Sequence, residues 1–478
     1  MNARIRTILF YVLVLAAPFS KIPSIGLPLF GFVSFRMGLY QFLGLAFVAV
    51  SARSVYKNKT AILQKNKLGL LLIILMACMA IGTIGAISLR RNLLLSVSFL
   101  FLLAVMLAGL DYTCVNIKKF DMGRATKWVL WAAIFYGVLS LLHLAIATFA
   151  HSGLLLCRGC GDSVFGFPRV NVFAAEPLFW ANSLLPFFAV SLHRLYVERS
   201  RLGIAAVFMS TLAIGLTFAR GAYIALVAGI GFYFVYSMKK SRLNTKVALR
   251  ASTVVAAGFV VSWAMLVSSA ATLHDSAPYI AYNTFRGMVQ HVSLGTINLP
   301  PHSATIATNV AVDLPTTNIV NTRENFVSKG LVTASTTERT GSASLALRAM
   351  RHDFWTFLFG VGLGNLGMAA RQYVDPAASA DLTVYIYYVL FAAELGIIGL
   401  AALLSIFGSA VSSLVKQGHE FSGVVATILV MFLVQFVTFG SYINVVYIWL
   451  WLGIGLGMGV KLKKHENNKK IGPAVRKI

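Results

Sequence analysis

The chain has 478 residues, of which 58% are hydrophobic and only 12% charged, with a mean hydropathy of +0.78. A soluble globular domain carries about a quarter charged residues, so this composition excludes a chain that mostly faces water. The net charge of +26 raises nucleic acid as a partner; its distribution disfavours that, because the cations cluster in short stretches between apolar runs, where Lys- and Arg-rich loops stay in the cytoplasm and meet anionic headgroups.

In chain order, apolar runs long enough to span hydrocarbon as helices fall near 7–20, 36–52, 68–88, 92–112, 128–150, 173–193, 202–219, 221–238, 251–270, 384–412, 421–440 and 444–460. They are continuous, whereas a barrel would show alternating segments of about ten residues. The expected fold class is therefore an all-α polytopic membrane protein of about 12 transmembrane helices with one large, partly helical periplasmic loop. The expected division is 1–269 with nine helices, the loop 270–383, 384–460 with three helices, and a basic cytoplasmic tail 461–478. With Arg4 and Arg6 inside, twelve crossings put each basic cluster on the cytoplasmic side, among them Arg53–Lys67, Arg194–Arg201 and Lys239–Arg250. The turn Arg90-Arg91 is the exception and falls outside. The first run is interrupted by Pro18 and Lys21 and lacks a convincing cleavage site, so it reads as an anchor and not as a signal peptide. No internal repeat of the transporter kind is visible.

Segment 270–383 holds seven basic and seven acidic residues, so it is neutral in a strongly basic chain. Its stretch from Pro300 to Thr317 is polar and irregular. Ser342 to Phe359 is expected to be helical, with Leu345, Leu347, Met350 and Phe354 as a buried stripe. A loop of this length is commonly functional or disordered, and its ordered second half favours function.

Cys78 falls in a span and Cys114 near the inner face. Cys157 and Cys160 form Cys-Arg-Gly-Cys in an outside loop, where an oxidising compartment permits a disulfide; a redox pair and a metal site are the alternatives, the second needing more ligands than the nearby His151. Charges beside apolar spans are costly and tend to mark function. Arg220 stands between two spans at their outer ends, Glu176 follows Arg169 where another span begins, and Glu394 lies about ten residues into a span. Snorkelling and structural pairing are the bland readings; together the three suggest a polar cavity open to the outside. Arg339, Arg348 and Arg351 precede Gly360, Gly362 and Gly364, and such glycines read as close-approach positions and not as a dinucleotide loop. Arginine forks grip phosphate oxygens, so arginines around an outward cavity suggest a lipid-linked phosphate. Arg351 and Arg371 read as solvated loop surface.

These residues carry a resemblance. Thr217-Phe218-Ala219-Arg220-Gly221-Ala222-Tyr223 resembles the Ser-Arg-Gly segment of the O-antigen ligase and O-antigen polymerase superfamily. Phe359-Gly360-Val361-Gly362-Leu363-Gly364-Asn365, followed by Glu394-Leu395-Gly396-Ile397-Ile398-Gly399, is similar to its second signature, and Arg169 with Ala175-Glu176-Pro177 to the Glu-Pro segment of polymerase-type members. The resemblance covers about residues 165–460. It implies an integral-membrane glycosyltransferase of the bacterial inner membrane that faces the periplasm and uses an undecaprenyl-diphosphate-linked glycan as donor. Such an enzyme joins repeat units into O-antigen or exopolysaccharide, or attaches finished polymer to lipid A-core. Membrane lipids and a chain-length regulator are further partners so implied. Ligases commonly carry His-Asn about nine residues before Glu-x-Gly; Tyr385-Ile386 stand there instead, which tilts the reading toward a polymerase.

The expected diphosphate-binding set is Arg220, Arg169 and a loop arginine, either Arg339 or Arg348, since the spacing to Gly360 does not decide. They would stabilise charge on the departing diphosphate. An acceptor hydroxyl benefits from a base, for which Glu176 and His352 are the candidates. Outer loops lack an Asp-x-Asp pair, so a reaction without metal or other cofactor is the simpler expectation. A lipid-linked glycan flippase is the rival class and a non-catalytic scaffold a third.

Overall fold

The computed structural model describes residues 2–20, 24–26, 36–64, 67–116, 122–150, 163–164, 167–174, 176–240, 244–273, 278–293, 296–297, 299, 330–417, 420–440 and 445–459. The Cys157–Cys160 pair and the basic tail lie outside these residues.

The described chain is a bundle of helices with two short antiparallel ribbons, β1 (Ser24–Gly26) with β2 (Arg36–Gly38), and β3 (Ser163–Val164) with β4 (Phe167–Pro168). Its helices run α1 (Asn2–Leu15), α2 (Leu39–Leu63), α3 (Leu68–Ile84), α4 (Leu89–Asn116), α5 (Met122–Phe149), α6 (Pro177–Glu198), α7 (Arg201–Leu216), α8 (Arg220–Lys239), α9 (Thr245–Leu273), α10 (Pro278–Val292), α11 (Gly330–Met350), α12 (Phe354–Phe359), α13 (Leu366–Tyr373), α14 (Tyr387–Gln417), α15 (Glu420–Gln435) and α16 (Val446–Met458). Each of the twelve apolar runs coincides with one of these helices. Among the described residues, six helices are long and apolar enough to cross a membrane: α2, α4, α5 from Ala125, α8, α9 and α14. Shorter apolar helices are α3, α7, α15 from Phe421, and α16. The chain is thus a helical, multi-pass membrane protein.

The helices sort their apolar residues by depth. α16 is buried along its whole length, consistent with a helix apolar on every side. The outer helices leave Leu45, Ile73, Val97, Trp131, Val227 and Val260 exposed on the bundle surface, a side-chain set suited to lipid. α4 packs closely on α16, with Gly109 against Leu450 and the Met106 carbonyl against Gly453.

Two ends of the bundle differ in charge. One collects the C-termini of α7, α9 and α15 and the N-termini of α6, α8 and α14. The other carries Arg199, Arg201, Lys239, Lys246, Arg250 and Lys416 on the opposite helix ends. Near that second end Arg6 is bound to Asp111 at 2.5 Å, with both side chains buried. Ser51 and Ser54 accept from the guanidinium at 3.0 Å each, and Asn58 donates to the second carboxylate oxygen at 2.6 Å. A buried pair persists only when its remaining polar sites are met in this way.

The second half of segment 270–383 is largely helical, but of the expected buried stripe only Met350 is buried. Among the described side chains of α11 the buried ones are Ser342, Ala343, Ala346, Ala349 and Met350, largely at spacings of three and four, whereas Leu345 and Leu347 are half-buried and Phe354 is 67% exposed. The helix also breaks: Asp353 caps a new one, its Oδ1 accepting from Trp355 and Thr356 N–H at 2.8 Å. That break rotates Phe354 off the α11 face. Small residues face inward because α11 lies close over α14.

Candidate functional site

The turn between α7 and α8 is built to present Arg220. Phe218 closes α7 in a left-handed conformation, φ +50°, with its side chain only 1% exposed. A bulky residue held there marks strain that the surroundings impose. Gly221 follows, and a Cβ at that position would run into Thr438 Oγ1 and Cβ, so only glycine lets the start of α8 rest on the segment after α15. Arg220, half-buried, donates from Nη1 to the His291 carbonyl at 3.4 Å. The His291 ring stacks on Phe218 with centroids 5.1 Å apart.

Two further arginines converge on this point. Arg169 lies just after β4 and donates from Nε to the Thr217 carbonyl at 3.2 Å. Arg339 on α11 donates from Nη1 to the Thr438 carbonyl at 3.3 Å and lies 5.4 Å over the Tyr385 ring. Burial pushes the His291 imidazole down to about 3, and the charges of Arg220, Arg169 and Arg339 add to that in this order. Three guanidinium groups from distant parts of the chain therefore lie near one histidine and disfavour its charged form. The result is a concentration of positive charge at the end of the bundle opposite Arg199, Lys246 and Arg250.

Of the two loop arginines the sequence left open, the structure brings Arg339 to Arg220; Arg348 is exposed on α11. Glu176 is exposed at the N-cap of α6, in the same connector as Arg169. His352 is exposed and stacks on Tyr373, centroids 4.0 Å apart and nearly parallel. Arg351 and Arg371 are exposed.

The glycine motif and Glu394 form a separate clasp. Gly360, Gly362, Gly364 and Gly396 all have φ between +74° and +86°. Val361 N–H donates to the Ala393 carbonyl at 2.9 Å, Gly362 N–H to the Glu394 carbonyl at 3.1 Å, and Gly364 N–H to Glu394 Oε1 at 2.9 Å. A Cβ on Gly360 would strike the Glu394 backbone, and one on Gly396 the Leu358 carbonyl. α14 breaks at Gly396 to meet this segment, freeing carbonyls that the 360–364 stretch then satisfies. Glu394 is buried at 4% exposure and acts here as an acceptor in the clasp.

His291, Tyr385 and Thr438 were not singled out by sequence reasoning as site residues. His291 sits on α10, in a stretch with no apolar run to flag it, and Thr438 offers its backbone carbonyl to Arg339 and packs its side chain against Gly221. Among the described residues no group of three His, Cys, Asp or Glu side chains stands close enough to hold a metal ion. No protein-family model matches this chain, and no curated protein is found similar to it.

Proposed function

We propose that the chain is a periplasm-facing membrane glycosyltransferase that polymerises undecaprenyl-diphosphate-linked oligosaccharide units. The observation that carries this reading is the meeting of Arg169, Arg220 and Arg339 around His291 at one end of a membrane bundle. Like charges brought together in a partly dry site repel, and a diphosphate is the kind of ligand that turns that repulsion into attraction. Charge supports the orientation of this reading: the opposite helix ends carry Arg199, Arg201, Lys239, Lys246 and Arg250, the kind of cations that stay cytoplasmic, which favours an arginine end that faces outward.

In the proposed step an acceptor hydroxyl of one glycan attacks the anomeric carbon of another. The bond to the diphosphate oxygen breaks with its electron pair, and the carrier leaves as the diphosphate. Arg220 and its two neighbours receive that developing charge as preorganised donors. The hydroxyl proton passes to a base; Glu176, exposed in the Arg169 connector, is the first candidate and His352 the second. Tyr385 occupies the place of the ligases' His-Asn pair and packs on Arg339, which supports polymerase over ligase.

The test is a deletion strain complemented with wild type or Arg220→Ala. Wild type restores long polymer; Arg220→Ala, at equal abundance, leaves core bearing single units. Retained polymer removes Arg220 from the site. Units trapped on the cytoplasmic face of the deletion strain would instead indicate a flippase.

A further inference from the structure

At the basic end of the bundle, away from the arginine cluster, the ends of α6 and α9 enclose a cavity of about 190 Å³ lined by Arg199, Lys246 and Arg250 together with Leu195, Asn244 and Val247. Among the described residues no acid lines it, and Glu198, next to Arg199 in sequence, is bound to Arg194 one turn back. The backbone of its rim is fixed. Arg199 closes α6 at φ +52° with its N–H on the Leu195 carbonyl at 3.1 Å. The Asn244 N–H donates to the Tyr196 hydroxyl, and Asn244 Oδ1 accepts from Val247 N–H at 3.3 Å.

A second space, about 470 Å³, opens between α7 and α9, with Arg201 at its basic end and Ile204, Phe208, Val254 and Ala257 along it. On α9, Lys246, Arg250, Val254 and Ala257 follow one another at spacings of four, four and three, which puts the cationic mouth and the apolar groove on one helix face. A soluble phosphate would use the mouth and leave the groove empty. An apolar helix would use the groove and have no need of the cations. An amphiphile with an anionic head uses both.

We propose that this composite site binds one anionic glycerophospholipid of the adjoining leaflet, its phosphate among Arg199, Lys246 and Arg250 and one acyl chain against Ile204, Phe208, Val254 and Ala257.

The test is native mass spectrometry of the full-length protein in detergent, titrated with phosphatidylglycerol, phosphatidylcholine or inorganic phosphate. Phosphatidylglycerol is expected to be retained over phosphatidylcholine. Lys246→Ala/Arg250→Ala should weaken it on the order of 30-fold, about 5-fold per cation. Ala257→Trp, at an exposed position, should fill the groove and weaken phosphatidylglycerol as well, whereas Lys239→Ala/Lys240→Ala, at the same end but outside the cavity, should leave it unchanged. Equal loss in the Lys239/Lys240 variant would overturn the proposal in favour of diffuse charge. So would equal retention of phosphatidylcholine, or displacement of the lipid by millimolar inorganic phosphate. All four lysine and arginine positions are outside the buried core, and thermal unfolding of each variant confirms that binding, not folding, is read.

Discussion

Arg220, the first residue of α8, donates to the main-chain carbonyl of His291 on α10 at 3.4 Å, so the segment after α9 is tied directly to the mouth of the bundle. The contact is made by Nη1 and fixes where the guanidinium sits at the start of α8.

Arg220→Lys keeps the charge and loses the fork. It is expected to retain a small part of polymer formation, while Arg220→Ala loses on the order of 100- to 1,000-fold, the cost of removing one preorganised donor. Initial rates in membranes of matched protein content distinguish the two; equal rates for Lys and wild type would show that bidentate contact is not used.

The two loop arginines should separate cleanly. Arg339 and Arg348 are nine residues apart, which at about 100° per residue places them on opposite sides of α11. Arg339→Ala should reduce polymer to short chains or single units, whereas Arg348→Ala, on the exposed side, should give wild-type banding. A reversed pattern would take Arg339 out of the site.

His291 supplies a pH dependence of stability. Its folded value, about 3, lies below the ordinary value of 6.5, so the unfolded chain binds the extra proton between the two. The stability it contributes is fully present above 6.5 and is lost as pH falls toward 3, with a slope of at most about 1.4 kcal/mol per unit for a single proton. Thermal unfolding in detergent from pH 7 to 4.5 should show a shallower acid loss for His291→Gln than for wild type. Parallel profiles would mean that His291 takes up its proton equally in the folded and unfolded chain, with no lowered value in the fold.

The clasp at Gly396 sets a contrast between two glycines of one helix. Gly396→Ala forces a side chain into a left-handed residue and onto the Leu358 carbonyl, with an expected loss of about 2–5 kcal/mol from backbone strain and overpacking together. At Gly408 a Cβ meets nothing within 4 Å, and Gly408→Ala should be neutral or stabilise by about 0.5–1 kcal/mol. Melting temperatures of the two variants give the answer directly.

Glu394 offers a test of role. Its Oε1 accepts from Gly364 N–H, which a glutamine can still do. Glu394→Gln should therefore fold and keep the polymer yield, while Glu394→Ala leaves the part-buried Gly364 N–H without this acceptor, at a cost of about 1 kcal/mol. A folded but inactive Glu394→Gln would show that the carboxylate's charge is used in the reaction.

The helices were legible in the sequence because a span announces itself locally, in about 20 consecutive residues, and each apolar run coincides with a helix. Arg220 and Arg169 were legible because charges next to apolar runs stand out. The choice between Arg339 and Arg348 was not, since it depends on the phase of α11 relative to α14, which only packing fixes. Of the expected stripe Leu345, Leu347, Met350 and Phe354 only Met350 is buried, for a related reason: in a helix that lies close on another, small residues mark the buried face, and the break at Asp353 ends the phase. His291 belongs to a polar segment whose helix gains its partners from elsewhere in the chain.

Because residues 360–364 complete the broken backbone of α14, segment 270–383 cannot be exchanged as a cassette that ends before Val384. A chimera cut there would pair a foreign glycine stretch with the native Glu394 turn, two halves of one joint made by different craftsmen. Donor boundaries that run through Gly399 carry both halves together, and evolution of new loop sequences must respect the same seam.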